Sequence, residues 1–198
     1  MNIQGLIDFE NDIKELFIAK EIRSPVHLSC GNESHLIEIF KEIGPKDWVV
    51  SSHRSHYHAL LKGIPEHLVR KQILRGQSMH LSFKEYNFFA SSIVGGIAPI
   101  AVGIAMGLKG NRVWCFLGDM AYHMGLVSES IRYAKGHNLP VCFVVEDNGL
   151  SVGTPTKEVW GCEDLPEGVI EEWELGKVVL YRYQMLCDHV GAGVWVTF

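Results

Sequence analysis

A chain of 198 residues that is 47% hydrophobic, 10% aromatic and 21% charged is long enough to form a single globular domain with a substantial core. That composition sets aside a disordered segment and a disulfide-stapled miniprotein. A net charge of −5 without any Lys/Arg cluster offers no basic face to phosphates, so no nucleic-acid partner is expected.

The first helix is expected over residues 5–21, with Leu6, Phe9, Ile13, Leu16 and Phe17 on one stripe and Ser24-Pro25 beyond its end. Asn32 is placed to cap a second helix reaching Ile43, and Gly44-Pro45 stops it. These elements make residues 1–50 a mainly helical N-terminal part of the domain. Asp47 to Val50 reads as extended and leads into Ser51-Ser52-His53-Arg54-Ser55-His56-Tyr57-His58, also taken as extended. A third helix is expected from Pro65 to Leu74, with Gly76 just past its end.

Ile93 to Leu108 is an apolar run broken only by Gly and Pro. It is shorter than the roughly 20 residues of a bilayer span, so no membrane segment is expected. It reads instead as a loop feeding a wholly buried helix, with Pro99 in the first turn. The small-residue spacing of Gly103 and Gly107 would permit close approach to another subunit. Arg112–Leu117 and Pro140–Val145 are β-type runs without alternation, as in parallel strands buried on both faces, and Ala121–Lys135 between them reads as a helix. Residues 151–170 look like a long loop. Lys177–Tyr183 and Gly193–Phe198 read as late strands, and the place of 171–198 in the fold is left open. The expectation is an α/β domain of three layers over 1–198, a mostly parallel central sheet with helices on both faces. The five scattered cysteines and an N-terminus without a signal-type apolar stretch point to a reduced, cytoplasmic setting.

In such sheets ligands bind at the carboxyl ends of strands. One predicted strand ends in Leu117-Gly118-Asp119-Met120-Ala121 and its neighbour in Val145-Glu146-Asp147-Asn148-Gly149-Leu150, which brings both tips to one edge. Asp119 offers a carboxylate and Asn148 an amide oxygen, hard donors suited to Mg²⁺ beside a bound phosphate. Taken singly, Asp119 as a helix cap and Asn148-Gly149 as an ordinary turn account for the same residues. The pair at consecutive tips, 29 positions apart, is more specific.

These two tips resemble the thiamine-diphosphate motif, a Gly-Asp-Gly followed about thirty residues later by Asn. Four further segments match the α subunit of the decarboxylating first component of 2-oxo acid dehydrogenases, in order: Ser52-His53-Arg54-Ser55-His56 with Lys62-Gly63, Gln77-Ser78-Met79-His80, Ile93 to Pro99, and Val152-Gly153-Thr154-Pro155. The resemblance spans residues 5–160 and implies thiamine diphosphate and Mg²⁺ as cofactors. It implies that Asp119, the Asn148 side chain and the Leu150 carbonyl hold the metal. Arg54 would contact the diphosphate with His53 beside it, where the family usually has Tyr. Gly118, Met120 and Ala121 would approach the diphosphate through backbone groups, and Ser92 and Val94 would meet the aminopyrimidine through a main-chain carbonyl and amide. His56 matches the family's His next to the diphosphate, which implies a site-lining, acid–base role. A transition-metal cluster of His53, His56 and His58 is the weaker reading of the same segment.

Met120 stands where the family has Gly, and His123 where it has Asn. The sequence stops well short of the family's α subunit, without the later segment that serves acyl transfer to a lipoyl domain. Decarboxylase, carboligase and transketolase-like chemistry on a small carbonyl or 2-oxo acid substrate are therefore equally compatible. No residue plainly supplies the pyrimidine-activating Glu, which in two-chain members comes from a β subunit. A β-like partner and an α2β2 assembly are expected. The alternative is a non-catalytic or regulatory homologue that keeps the fold and the partner interface.

Overall fold

The computed structural model describes residues 1–189. Two helices come first, α1 (Ile3–Ile18) and α2 (Glu33–Phe40). Then follow β1 (Trp48–Ser51), α3 (His56–Leu61), α4 (Glu66–Leu74), β2 (Ser82–Phe83), β3 (Phe88–Ala90) and α5 (Ile97–Gly107). The second half holds β4 (Val113–Gly118), α6 (Asp119–Tyr122), α7 (Gly125–Gly136) and β5 (Val141–Asp147). It ends with a small hairpin, β6 (Leu150–Ser151) and β7 (Thr154–Pro155), then α8 (Thr156–Trp160), β8 (Gly168–Trp173) and β9 (Gly176–Arg182).

The described residues form a seven-stranded sheet in the order β2-β3-β1-β4-β5-β9-β8. The five inner strands β3, β1, β4, β5 and β9 run parallel, and β2 and β8 close the two edges antiparallel. Side chains alternate between two separate cores, as the period of two demands. Trp114 and Phe116 of β4 and Cys142 and Val144 of β5 pack with α1 to α4. Val113, Cys115 and Leu117, with Val141, Phe143 and Val145, pack under α5 to α7. Burial on both faces explains why these strands carry unbroken apolar runs. The chain is thus a three-layer α/β fold with a mostly parallel sheet.

Several expected elements change at their ends. Asn2 caps α1 by accepting from the Gly5 N–H at 2.8 Å, so the helix begins two residues earlier than its apolar stripe suggests. It stops at Ile18, where Lys20 takes a left-handed φ of 62°. Past Phe40 the N–H groups of Lys41, Glu42 and Ile43 bond three residues back, tightening α2 into a turn before Gly44. Residues 56–61 are helical rather than extended. The expected helix 121–135 is two helices, because Met124 is extended at ψ 142°. The stretch 151–170 holds the β6–β7 hairpin, α8 and the start of β8 rather than a bare loop. The expected strand Gly193–Phe198 lies outside the described residues.

Helix α5 is also not buried all round. It turns Ala98, Ala101, Val102 and Ala105 into the core and leaves Ile100, Gly103, Met106 and Gly107 exposed. A helix apolar on every side needs only one face for the sheet, so the other stays open. No helix among the described residues is long and apolar enough to cross a membrane.

Phe116 is fully buried and stacks on His58 at 4.3 Å and on Phe40 at 5.4 Å between ring centroids. Phe116→Ala is expected to cost about 3–5 kcal/mol of unfolding free energy in a denaturant titration. A loss below about 1 kcal/mol would contradict this packing.

Candidate functional site

The carboxyl ends of the five parallel strands open into one cavity of about 340 Å³. Ser52, His53 and Arg54 follow β1, Ser91 to Gly95 follow β3, and Leu117 to Ala121 straddle the end of β4. Glu146, Asn148 and Leu150 come from β5 and the start of β6, and Tyr183 follows β9. The pairing of Gly118 with Glu146 across β4 and β5 sets the two most chemical loops side by side.

Asp119 opens α6 with its carboxylate buried. It accepts a hydrogen bond from Thr156 Oγ1 at 2.5 Å, and that hydroxyl in turn lies 3.0 Å from Ser151 Oγ. Burial above all, then the negative charge of Asp147, pushes the Asp119 carboxyl up to about 6; the Thr156 bond and the N–H groups of Met120 and Asp119 oppose the rise. A carboxylate so placed lacks a counter-charge of its own. Asn148 Oδ1 accepts the Leu150 N–H at 3.0 Å, which leaves it a second lone pair. Pro155, paired with Leu150 across the hairpin, has no N–H to give to the Leu150 carbonyl. Asp119, Asn148 and Leu150 thus line one cavity from two neighbouring loops and offer a carboxylate, an amide oxygen and a carbonyl. An all-oxygen set of this kind fits a hard cation such as Mg²⁺.

Arg54 is buried between the loop after α1 and the segment after β9. Its guanidinium donates to the Leu28 carbonyl, to His189 Nδ1 at 3.2 Å and to the His189 carbonyl at 3.3 Å. Three imidazoles gather around it: His27 lies 4.6 Å from His53 and 5.2 Å from His189 between ring centroids. Burial, then the Arg54 charge, lowers His53 to about 3 and His27 to about 4, so both are neutral near pH 7. His27 lines the cavity, and its buried Nδ1 has no hydrogen-bond partner among the described residues.

The remaining expected contacts divide. Gly118, Met120 and Ala121 line the cavity wall, and a Cβ on Gly118 would meet nothing within 4 Å. Ser92 and Val94 line it as well, Val94 at 46% exposure near its rim, and Ser92 Oγ is tied to His80 Nε2 at 2.8 Å. His56 is not on the cavity. Because residues 56–61 are helical, its ring turns beneath α1, 2.9 Å from Ser78 Oγ and 3.3 Å from the Glu10 carboxylate. It supports the turn that carries Met79, which does line the cavity. The same helix separates His58, which binds Ser51 and Glu146 instead. Among the described residues no three His, Cys, Asp or Glu side chains gather as a metal-binding set. His123 belongs to a neighbouring cavity of about 260 Å³, where its Nε2 lies 3.5 Å from Cys162 Sγ.

Glu146, His27, Met79, Tyr183 and His189 are cavity residues that sequence reasoning did not assign. Glu146 alone left a signal, a charged residue in a run otherwise buried on both faces. Its Oε1 accepts from Tyr181 Oη at 2.6 Å, from Asn32 Nδ2 at 3.2 Å and from His58 Nε2 at 3.2 Å. His27 and His189 meet because the segment after α1 and the segment after β9 converge on Arg54.

Residues 1–168 match the model of the family described as dehydrogenase E1 component. The α subunit of acetoin:2,6-dichlorophenolindophenol oxidoreductase from Bacillus subtilis is 31% identical over 173 residues, covering 80% of this chain and 52% of that protein. Its counterpart from Cupriavidus necator is 32% identical over 161 residues, covering 74% and 48%. The α subunit of the pyruvate dehydrogenase E1 component from Rickettsia typhi is 31% identical over 173 residues, covering 79% and 52%. The chain spans about half the length of these relatives.

The raised carboxyl of Asp119 has a direct consequence for the free chain. Its folded-state pKa of about 6 stands above the ordinary 3.8, so folding takes up a proton between those values and stability falls as pH rises through that window. His27 and His53 act in the opposite sense below about pH 6.5, but equally in wild type and in an Asp119 variant. Without divalent cations, Asp119→Asn is expected to be more stable than wild type by about 2–3 kcal/mol at pH 7, and the gap should close toward pH 4. Paired denaturant titrations at the two pH values measure it; equal stabilities at pH 7 would contradict the assignment.

Proposed function

The chain belongs to the dehydrogenase E1 component family, and on that premise we propose that it is the α-like subunit of a thiamine-diphosphate- and Mg²⁺-dependent enzyme. The reaction is cleavage or formation of a C–C bond beside a carbonyl, on a small carbonyl or 2-oxo acid substrate. The observation that carries this reading is the convergence of Asp119, Asn148, Leu150 and Arg54 on one cavity.

In this reading Asp119, the Asn148 side chain and the Leu150 carbonyl hold Mg²⁺, and the cation relieves the charge that burial leaves on Asp119. Arg54 contacts the diphosphate, its planar fork suiting phosphate oxygens. The backbone at Gly118, Met120 and Ala121 approaches the same group. Ser92 and Val94 orient the aminopyrimidine through main-chain carbonyl and amide. When bound, the cofactor's ring supplies the carbanion stabilisation at the carbonyl carbon. The protein holds it and excludes water with Met79, Ile93, Val94 and Leu117. Neutral His53 and His27 place polar atoms on the wall without adding positive charge beside Arg54. His56 acts from beneath, as a positioning residue for the Ser78-Met79 turn.

The reading includes a separate β-like subunit and an α2β2 assembly. Glu146, a carboxylate on the cavity, has its Oε1 engaged by Tyr181, Asn32 and His58, and the reading takes the pyrimidine-activating Glu from the other chain. At the rim Ile93 is 71% exposed, and Ile100 and Met106 extend the apolar surface along α5, as expected of a contact surface. A cytoplasmic setting completes the reading, since the five cysteines are free and two of them, Cys115 and Cys142, lie in the core. The single observation that favours a non-catalytic homologue is Met120, whose residue lines the wall where the diphosphate would lie.

Titration calorimetry of the chain with its β-like partner separates the two. Thiamine diphosphate with Mg²⁺ is expected to bind saturably, and Asp119→Ala to weaken binding at least roughly tenfold, since loss of outer-shell partners alone weakens metal sites that much. Absence of binding by an intact wild-type pair would favour the non-catalytic homologue. Turnover by the isolated chain equal to that of the pair would contradict the need for a partner.

A further inference from the structure

On the α1 side of the sheet a second cavity, of about 280 Å³, is lined by Glu10, Lys14, Cys30, Glu33 and Cys187. Here the segment after β9 returns against the loop that follows His27. The Leu186 N–H donates to the Cys30 carbonyl at 3.2 Å, and Cys187 Sγ lies 3.6 Å from the Leu28 carbonyl. A Cβ on Gly31 would fall 2.3 Å from the Gln184 carbonyl, so nothing larger than glycine fits between the two segments. Gly31 also needs its left-handed φ of 106°. The two thiols, 157 positions apart in sequence, line this one cavity, where the Leu186–Cys30 backbone bond holds their segments together. The neighbouring Cys30 and then the Arg54 charge lower the Cys187 thiol, against burial and the charges of Glu10 and Asp188. Both are half-buried, whereas Cys115 and Cys142 are sealed in the core and Cys162 sits beside His123.

We propose that Cys30 and Cys187 are a redox pair that forms a reversible intramolecular disulfide and fixes the 184–189 segment to the 28–31 loop. The oxidant is a low-molecular-weight disulfide such as oxidised glutathione. The Cys187 thiolate attacks one of its sulfurs and releases one glutathione thiolate, which takes up the Cys30 proton. Cys30 then attacks the Cys187 sulfur of the mixed disulfide and releases the second glutathione. Two cysteine thiols are oxidised, one external disulfide is reduced to two thiols, and excess glutathione reverses the sequence. A lowered, accessible thiol beside a resolving partner is the arrangement such sensors use.

The pair also bears on the main cavity. Arg54 bridges the same two segments, through the Leu28 carbonyl on one and His189 on the other, and His189 and Tyr183 line the cavity wall. The disulfide therefore sets how firmly that wall is held, whatever the cavity binds.

The test is to poise the purified full chain in oxidised and reduced glutathione, quench in acid, alkylate and map peptides by mass spectrometry. The expected result is one intramolecular cross-link between Cys30 and Cys187, reversed by dithiothreitol, lost in Cys30→Ser and in Cys187→Ser and kept in Cys162→Ser. Oxidised wild type should melt higher than reduced wild type by on the order of 5–10 °C, with no such shift in Cys187→Ser. A cross-link through Cys162, a link between chains, or only glutathione adducts at Cys187 would overturn the pairing. The mapping of wild type decides this even where a serine variant fails to fold.

Discussion

The site depends on the register of two strands. Gly118 at the end of β4 stands opposite Glu146 near the end of β5, and Asp119, Asn148 and Leu150, the residues proposed to hold a cation, all follow within four residues of one or the other. A slip by one residue would turn Trp114 and Phe116 into the core that holds Cys115 and Leu117, which burial on both faces forbids. The apolar packing that stabilises the sheet is therefore also what aims Asp119 and Asn148 into one cavity. Stability and chemistry share a single constraint here.

Buried polar groups finish what the register begins. The Glu146 carboxylate gathers β9 through Tyr181, the entrance to α2 through Asn32 and α3 through His58, and His58 reaches β1 through Ser51 at 2.7 Å. A buried carboxylate is tolerated because three donors satisfy it. Asp119 is buried as well, and burial with the nearby Asp147 charge raises its pKa against the bonds from Thr156 and the N–H groups of Met120 and Asp119. Glu146 ties several elements together through one oxygen, whereas Asp119 stands at the cavity with no basic partner among the described residues.

The three-layer order, four of the five inner strands and both strand tips could be read from the sequence, whereas β3 (Phe88–Ala90) was not expected and the place of β9 was left open. Unbroken apolar runs that end in Gly-Asp and in Glu-Asp-Asn suit buried parallel strands with polar tips and little else. His56 shows the limit of such reading. Its motif neighbours Arg54 and His53 do line the cavity, but the chain turns helical at residue 56 and carries that ring under α1, toward Ser78 and Glu10. Local spacing says nothing of where a turn begins when no Pro or Gly marks it. His27, Tyr183 and His189 were illegible for another reason: each reaches the cavity through contacts between segments far apart in the chain. The exposed half of α5 went unseen because an apolar helix looks alike on every side.

A single cation and diphosphate site built from the β4 and β5 tips is the feature on which the functional reading stands. Diffraction from crystals grown with thiamine diphosphate and Mn²⁺, recorded at the manganese edge, tests it most directly. One anomalous peak is predicted at coordination distance from Asp119, Asn148 and the Leu150 carbonyl, with Arg54 near the diphosphate. A manganese ion bound elsewhere in the cavity, or a diphosphate seated away from these loops, would contradict it.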